Sequence, residues 1–240
     1  MPNWVTNKGY IELPDDASDE AKEVYDKLVA NESPDGWFSN VLLCPEEMRM
    51  KTGEQLDTKW LRKRSKFKGR FGTFKAVKQV NGGTAKIFKP SKDYVAYLES
   101  EYGRGQSDWY SWNVANYGTK WDVKLTYNSV YNNRFEFEFD SAWSPPKKFF
   151  DWLSKLGIDF DLNYEEPGCQ FYGTYSSTNG KLTDEYYEGE DYIIYAIDSL
   201  DQEAESLLNL SEYSSYNEFK EATEYKSKRL LRIAKDYYES

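Results

Sequence analysis

Three features of this 240-residue chain predict an α+β fold built on one half-buried antiparallel sheet. Residues 134–140 (RFEFEFD) and 158–164 (IDFDLNY) alternate apolar and polar side chains, the pattern of strands with one face on a core and the other on water. Residues 18–31 and the stretch after Pro145-Pro146 place apolar side chains at helical spacing and so supply two helices to cover that core face. The segments run strand, helix, insert, strand, strand, helix, strand, which is the split βαβ arrangement of a ferredoxin-like domain.

Taken in order, residues 4–13 (WVTNKGYIEL) are rich enough in β-branched and aromatic residues for a first strand, weakened at Gly9. Ser18 is the predicted N-cap of the next helix, with acids in its first turn and Ala21, Val24, Tyr25 and Leu28 on one face. The cluster NESPDG (31–36) stops it, and WFSNVLL (37–43) is a short apolar run. Residues 71–80 and 84–89 flank Asn81-Gly82-Gly83, a hairpin signal, and 93–102 read as a short helix ended by Gly103. A short helix or loop from Trp109 runs into a strand at 121–127, and the Asn-rich stretch 128–133 reads as a turn before strand 134–140. Ser144 is the expected N-cap of a helix with Pro in its first turn, an apolar face at Phe149, Phe150, Trp152, Leu153 and Leu156, and a stop at Gly157. Strands follow at 158–164, 169–175 and 181–187, the last two joined through Asn179-Gly180. The domain is expected to occupy 1–198, with a basic insert at about 51–92, and amphipathic helices to form an extension over 199–240.

Composition removes most catalytic chemistries. With no histidine, imidazole acid–base pairs, histidine triads and H-E-x-x-H zinc sites are impossible. Cys44 and Cys169 stand alone and far apart, which fits a reducing compartment and no zinc site. No run of about 18 apolar residues offers a membrane span, and Met1-Pro-Asn-Trp lacks the pattern of a signal peptide. The expectation is a cytoplasmic protein without cofactor, resident metal or catalytic centre.

Charge is unevenly divided. Residues 51–92 hold 13 Lys or Arg against Glu54 and Asp57, a net of +11. The remaining residues hold 18 basic and 39 acidic side chains, a net of −21.

Several short stretches share order and spacing with one family. They are Met1-Pro-Asn-Trp4, Trp112-Asn113 with Asn116, Gly118-Thr-Lys-Trp-Asp122, Ala142-Trp-Ser-Pro-Pro146, Tyr164-Glu-Glu-Pro-Gly168 and Phe171-Tyr-Gly173. Over the first strand and roughly residues 108–175 the chain resembles the YubB-like ferredoxin-domain family of phage and plasmid proteins of unknown function. The resemblance implies a ferredoxin-like fold and a mobile-element origin, and brings no catalytic residues.

Two candidate sites emerge. In the basic block, Arg62, Lys63, Arg64, Lys66, Lys68 and Arg70 could neutralise phosphates while Trp60, Phe67 and Phe71 stack on unpaired bases. The same block could dock an acidic protein, or lie on the acidic body of its own chain. Trp109, Trp112, Asn113, Asn116, Lys120, Trp121 and Asp122 could line a pocket, or the tryptophans could plug the core while Asn and Asp tie down the turn backbone. The acid clusters at Glu165-Glu166 and Glu188-Gly-Glu190-Asp191 read as solvated turns rather than metal sites.

The leading functional expectation is a phage or plasmid accessory protein that binds a host protein, antagonising a host defence or nucleic-acid enzyme. The alternative is a single-stranded nucleic-acid-binding protein using the basic-aromatic insert. A carboxylate–metal phosphoesterase is the remote third.

Overall fold

Strand β1 (Trp4–Glu12) lies at the centre of the main sheet, antiparallel to both neighbours, and the rest of the domain is arranged around it. The structure, a computed structural model, describes residues 3–48, 65–78, 84–199, 208, 210–223 and 228–239. The main sheet has the order β4 (Leu125–Tyr131), β5 (Arg134–Ala142), β1, β6 (Asp159–Glu166), β7 (Phe171–Thr178), β8 (Lys181–Glu188), every pair antiparallel. A separate hairpin pairs β2 (Gly72–Lys78) with β3 (Thr84–Pro90), as the Asn-Gly-Gly signal predicts.

Helix α1 (Asp19–Ala30) connects β1 toward β4, and α4 (Lys147–Lys155) connects β5 to β6. The order β4-β5-β1-β6 with these two crossovers is the ferredoxin-like split βαβ, extended by β7 and β8 at one edge. Between α1 and β4 lie the hairpin, α2 (Lys92–Tyr102) and α3 (Trp109–Asn116). The chain ends in α5 (Glu190–Ser199), α6 (Tyr216–Ala222) and α7 (Lys228–Glu239). No described helix is long and apolar enough to cross a membrane.

One face of the sheet carries the core. Phe135, Phe137 and Phe139 of β5, Val5 and Ile11 of β1, and Phe160 and Leu162 of β6 all point to it, as strand alternation requires. They meet Leu28 of α1 and Phe149, Phe150 and Leu153 of α4. Trp37, in the loop after α1, is wholly buried and sits 4.9 Å from Phe137 and 5.7 Å from Phe139, ring centre to ring centre. Its indole N–H donates to Leu28 O at 3.0 Å, so this buried ring leaves no donor unpaired. The Ser18 hydroxyl accepts from Ala21 N–H, the predicted cap, a bond of about 1 kcal/mol in such positions.

Three expectations are corrected. Residues 121–124 are not strand, and the turn before β5 is only Asn132-Asn133, with Asn132 left-handed at φ 55°. Val130 and Tyr131 pair with Phe135 and Arg134 across that tight hairpin, and cross-strand pairing outweighs the turn tendency of the flanking asparagine and serine. Ser144 does not cap α4. Its hydroxyl donates to Gly118 O at 2.7 Å, and Pro146 occupies the cap position with no side-chain cap bond.

A second apolar cluster joins the C-terminal helices to the sheet. Tyr192 and Ile193 of α5 pack with Leu208, Leu210, Phe219, Leu230 and Ala234, and Tyr172 of β7 packs against them. This unit lies against the β7–β8 end of the sheet's other face, where Tyr192 Oη donates to Glu165 at 3.0 Å.

Candidate functional site

The segment read as a pocket divides into anchors and a surface feature. Helix α3 starts with a capping box between Asp108 and Ser111, which sets Trp112 and Asn113 inward at 5% and 7% exposure. Trp112 lies edge-on to Tyr117, 5.3 Å away. Asn113 donates to Lys120 O at 3.0 Å and so ties down the turn that follows the helix, while Asn116 donates to Trp112 O at 2.8 Å within the helix and to Gln106 at 3.1 Å before it. Half-buried Trp109 packs against the edge of the main core. The Asp122 carboxylate accepts from Phe38 N–H (2.9 Å), Ser39 N–H (2.9 Å), Val123 N–H (2.7 Å) and the Ser39 hydroxyl (2.5 Å). Burial pushes its pKa above the usual carboxylate range, although the four bonds pull it back down. These five side chains are therefore packed against or hydrogen-bonded to their own chain.

Lys120 and Trp121 are half-buried. The Lys120 ammonium lies 4.5 Å from the ring centre of Trp121 and 4.4 Å from that of Trp143, a cation held between two indoles. Trp4 packs on Trp121 at 5.8 Å. A polar network fixes this end of the sheet: Thr119 Oγ1 donates to Ala142 O, Ser141 Oγ to Ser144 O, and Asn7 Nδ2 to Ser141 Oγ, all within 2.9 Å. Asn3 accepts from Trp143 N–H and donates to Cys169 Sγ. The short stretches that carry the family resemblance thus meet at one end of the sheet, beside a groove of about 460 Å³ lined in part by Trp143, Tyr164, Phe171 and Tyr186.

Glu166 is buried and accepts from Gly168 and Cys169 N–H, so it closes a turn. The same carboxylate holds the Cys169 thiol above its ordinary pKa, which makes it a poor nucleophile. Among the described residues no group of three Cys, Asp or Glu is placed to hold a metal ion.

Of the basic block, Trp60, Arg62, Lys63 and Arg64 lie outside the described residues. Phe71 is 3% exposed, and Phe67 packs between Phe71 (5.5 Å), Tyr94 (5.2 Å) and Tyr97 (5.2 Å). Phe71 belongs to the core around α2, and Phe67, half-buried, packs against it. Lys66 pairs with Glu101 at 3.5 Å, Lys68 donates to Ser65 O at 3.0 Å, and Arg70 is exposed. The described part of the block is thus partly satisfied by its own chain.

Sequence reasoning did not anticipate the open face of the sheet. Since Phe135, Phe137 and Phe139 point to the core, Glu136, Glu138 and Asp140 point away, and the pairing places Glu12, Asp159, Asp161, Glu165 and Glu185 on the same side. Against these eight carboxylates stand Lys8, Arg134 and Lys181. Lys8 pairs with Glu138 at 3.4 Å and Arg134 with Glu12 at 3.1 Å, and the other six acids form no ion pair among the described residues. The signal was present as the alternate positions of RFEFEFD and DFDLNYEE, once strand order places them side by side.

Residues 116–206 match the model of a family described as the ferredoxin-like domain in Api92-like protein. No curated protein matches the chain. Among solved structures, protein Api92 from Yersinia pseudotuberculosis is similar at 12% identity and a TM-score of 0.35, over 79% of this chain and 98% of that one. The stretch from the end of α3 through α5, which carries β4 to β8, is thus similar to the ferredoxin-like domain of Api92-like proteins.

Proposed function

We propose that this chain is a binding protein without a catalytic centre, and that it docks a basic partner protein on the open face of its sheet. The observation that carries this reading is the row of six carboxylates on β5, β6 and β8 that no lysine or arginine among the described residues neutralises. Glu165 is held by Tyr192 of the C-terminal unit, and Glu136, Asp140, Asp159, Asp161 and Glu185 form the rest of the row. Like charges held side by side on a rigid sheet repel, and a complementary partner relieves that repulsion while the field speeds its approach. Exposed Tyr127 and Tyr131 on β4 add amphipathic contact area beside the acids. In its specific form, the partner is a host protein whose basic surface normally meets nucleic acid, and the chain is a mobile-element accessory protein that occupies that surface.

The nucleic-acid reading has less behind it. An RNA-recognition sheet sets aromatic rings among basic residues on its open face, whereas Tyr127 and Tyr131 here stand beside carboxylates, Phe71 is buried and half-buried Phe67 packs on it. The test is affinity capture from host lysate with three immobilised proteins. These are the parent chain, a Glu136→Lys/Glu138→Lys/Asp161→Lys variant, and a Lys66→Glu/Lys68→Glu/Arg70→Glu variant. The reading expects a stoichiometric protein that elutes with salt and is lost only with the first variant. Recovery of nucleic acid that is lost only with the second would overturn it.

A further inference from the structure

Among the described non-glycine residues with positive φ, Trp143 is the one aromatic. Its φ of 72° is left-handed, a conformation that costs a bulky L-residue about 1–3 kcal/mol and that glycine adopts freely. The indole is nonetheless 47% exposed, so core packing does not account for a tryptophan there. The strain is enforced from both sides: Trp143 N–H donates to Asn3 O at 2.9 Å, and the preceding carbonyl, Ala142 O, accepts from Thr119. Besides Lys120, 4.4 Å over the ring, and Tyr110, edge-on at 6.4 Å, the ring lines the groove of about 460 Å³, within the ~300–1,000 Å³ of small-molecule sites.

Trp143, Tyr164, Phe171 and Tyr186 supply aromatic walls to this groove, with Lys147 and Lys148 on its rim. Phe171 and Tyr186 pack at 5.7 Å, and Tyr164 fits beneath because Gly173 has no Cβ, which would otherwise lie 2.2 Å from the Tyr164 hydroxyl. The Lys147 ammonium is engaged by Asp184 at 2.6 Å. Lys148, 62% exposed and paired loosely with Asp151 at 3.4 Å, is the rim cation nearest solvent, and Lys120 is held over Trp143.

We infer that this groove binds a nucleobase carrying a phosphate, the base against Trp143 and Tyr186 and the phosphate toward Lys148. Ring faces accept any base, and a lysine at the rim selects an anionic ligand over a sugar or a neutral ring. The ligand comes either as a free nucleotide or as an unpaired base of a single strand. The site lies on the core side of the sheet edge and is separate from the acidic face.

The test is calorimetric titration of the full chain with adenosine 5′-monophosphate, ribose 5-phosphate, inorganic phosphate and a short oligothymidylate. Binding of the mononucleotide without binding of ribose phosphate or phosphate supports the site. An oligonucleotide that binds about tenfold tighter than the mononucleotide identifies a strand as the source, and equal affinity identifies the free nucleotide. Trp143→Gly is expected to weaken binding by tenfold or more while its melting temperature stays at or above the parent's, because the strain is relieved. Tyr186→Ser, on an edge strand, and Lys148→Glu are each expected to weaken binding about tenfold without unfolding the chain. No heat with any base-containing probe at about 1 mM, or unchanged affinity in both Tyr186→Ser and Lys148→Glu, overturns the inference. So does a Trp143→Gly variant that melts well below the parent, since the strain would then serve stability.

Discussion

Replacing Asp122 with alanine removes the acceptor of three backbone N–H groups and one hydroxyl in the loop that carries Trp37 and Phe38 into the core. The carboxylate sits this close only because Gly36 has no side chain, since a Cβ there would come within 2.4 Å of Asp122 Cγ. An unpaired buried donor costs about 1–3 kcal/mol, and these are only partly buried. Taking about 1 kcal/mol for each N–H gives a loss of about 3 kcal/mol. For a chain of this length that corresponds to about 6–12 °C in melting temperature. The sign of the pH dependence follows from the carboxyl's raised pKa. The folded protein holds the proton to higher pH than the unfolded chain, so this group's contribution is largest in acid and falls as pH rises through the folded pKa. The deficit of Asp122→Ala is therefore expected to widen as pH is lowered. Thermal melts by circular dichroism at several pH values measure this. A melting temperature within about 1 °C of the parent would refute the assignment of Asp122 as the clamp on this loop.

Gly173→Ala places a Cβ 2.4 Å from Glu185 O as well as against the Tyr164 hydroxyl, and should destabilise by about 1–3 kcal/mol in urea unfolding. Glu47→Ala removes the carboxylate that accepts from Tyr97 (3.3 Å) and Tyr102 (3.1 Å), and should lower the melting temperature while leaving the main sheet's amide protection intact in hydrogen exchange. Alkaline stability should fall early. Burial raises the phenol pKa values of Tyr25, Tyr94, Tyr102 and Tyr175, and that of Tyr186 is pushed up to about 12 by burial and by Glu188. The folded state thus binds more protons than the unfolded one from about pH 10 upward, and unfolding free energy should decline there. With no histidine to titrate, it should stay nearly flat from about pH 6 to 8.

The ferredoxin-like core was legible because its strands alternate cleanly and its helices carry caps or glycine stops. RFEFEFD states both its faces, and Ser18 and Gly157 mark helix ends that the structure keeps. Where the reading failed, tertiary pairing had overruled local preference. Asn128 and Ser129 look like turn residues, yet they lie in β4 opposite Phe137 and Glu136. Ser144 looks like a helix cap, yet Gly118 O takes its hydroxyl. Helix α5 went unread because its β-branched and aromatic run, YIIYAI, has no clear helical periodicity until Tyr192 and Ile193 find the C-terminal cluster. The candidate sites were harder still. Charge counting drew attention to the basic block, but the acid row that supports the binding proposal exists only once β8, β7, β6, β1 and β5 are laid side by side. Trp143 was visible as part of a motif, but its left-handed backbone and exposed ring were not.

The central claim is that a basic protein meets the open sheet face, and photo-crosslinking from single positions tests it most directly. A benzophenone side chain in place of Tyr127 looks out from the acidic face, whereas one in place of Leu182 looks out from the opposite side of the sheet. On irradiation with host lysate, the account predicts a discrete protein adduct from the Tyr127 position that vanishes when Glu136, Glu138 and Asp161 are reversed to lysine, and none from the Leu182 position. An adduct from the Leu182 position alone, or one from Tyr127 that survives charge reversal, would contradict it.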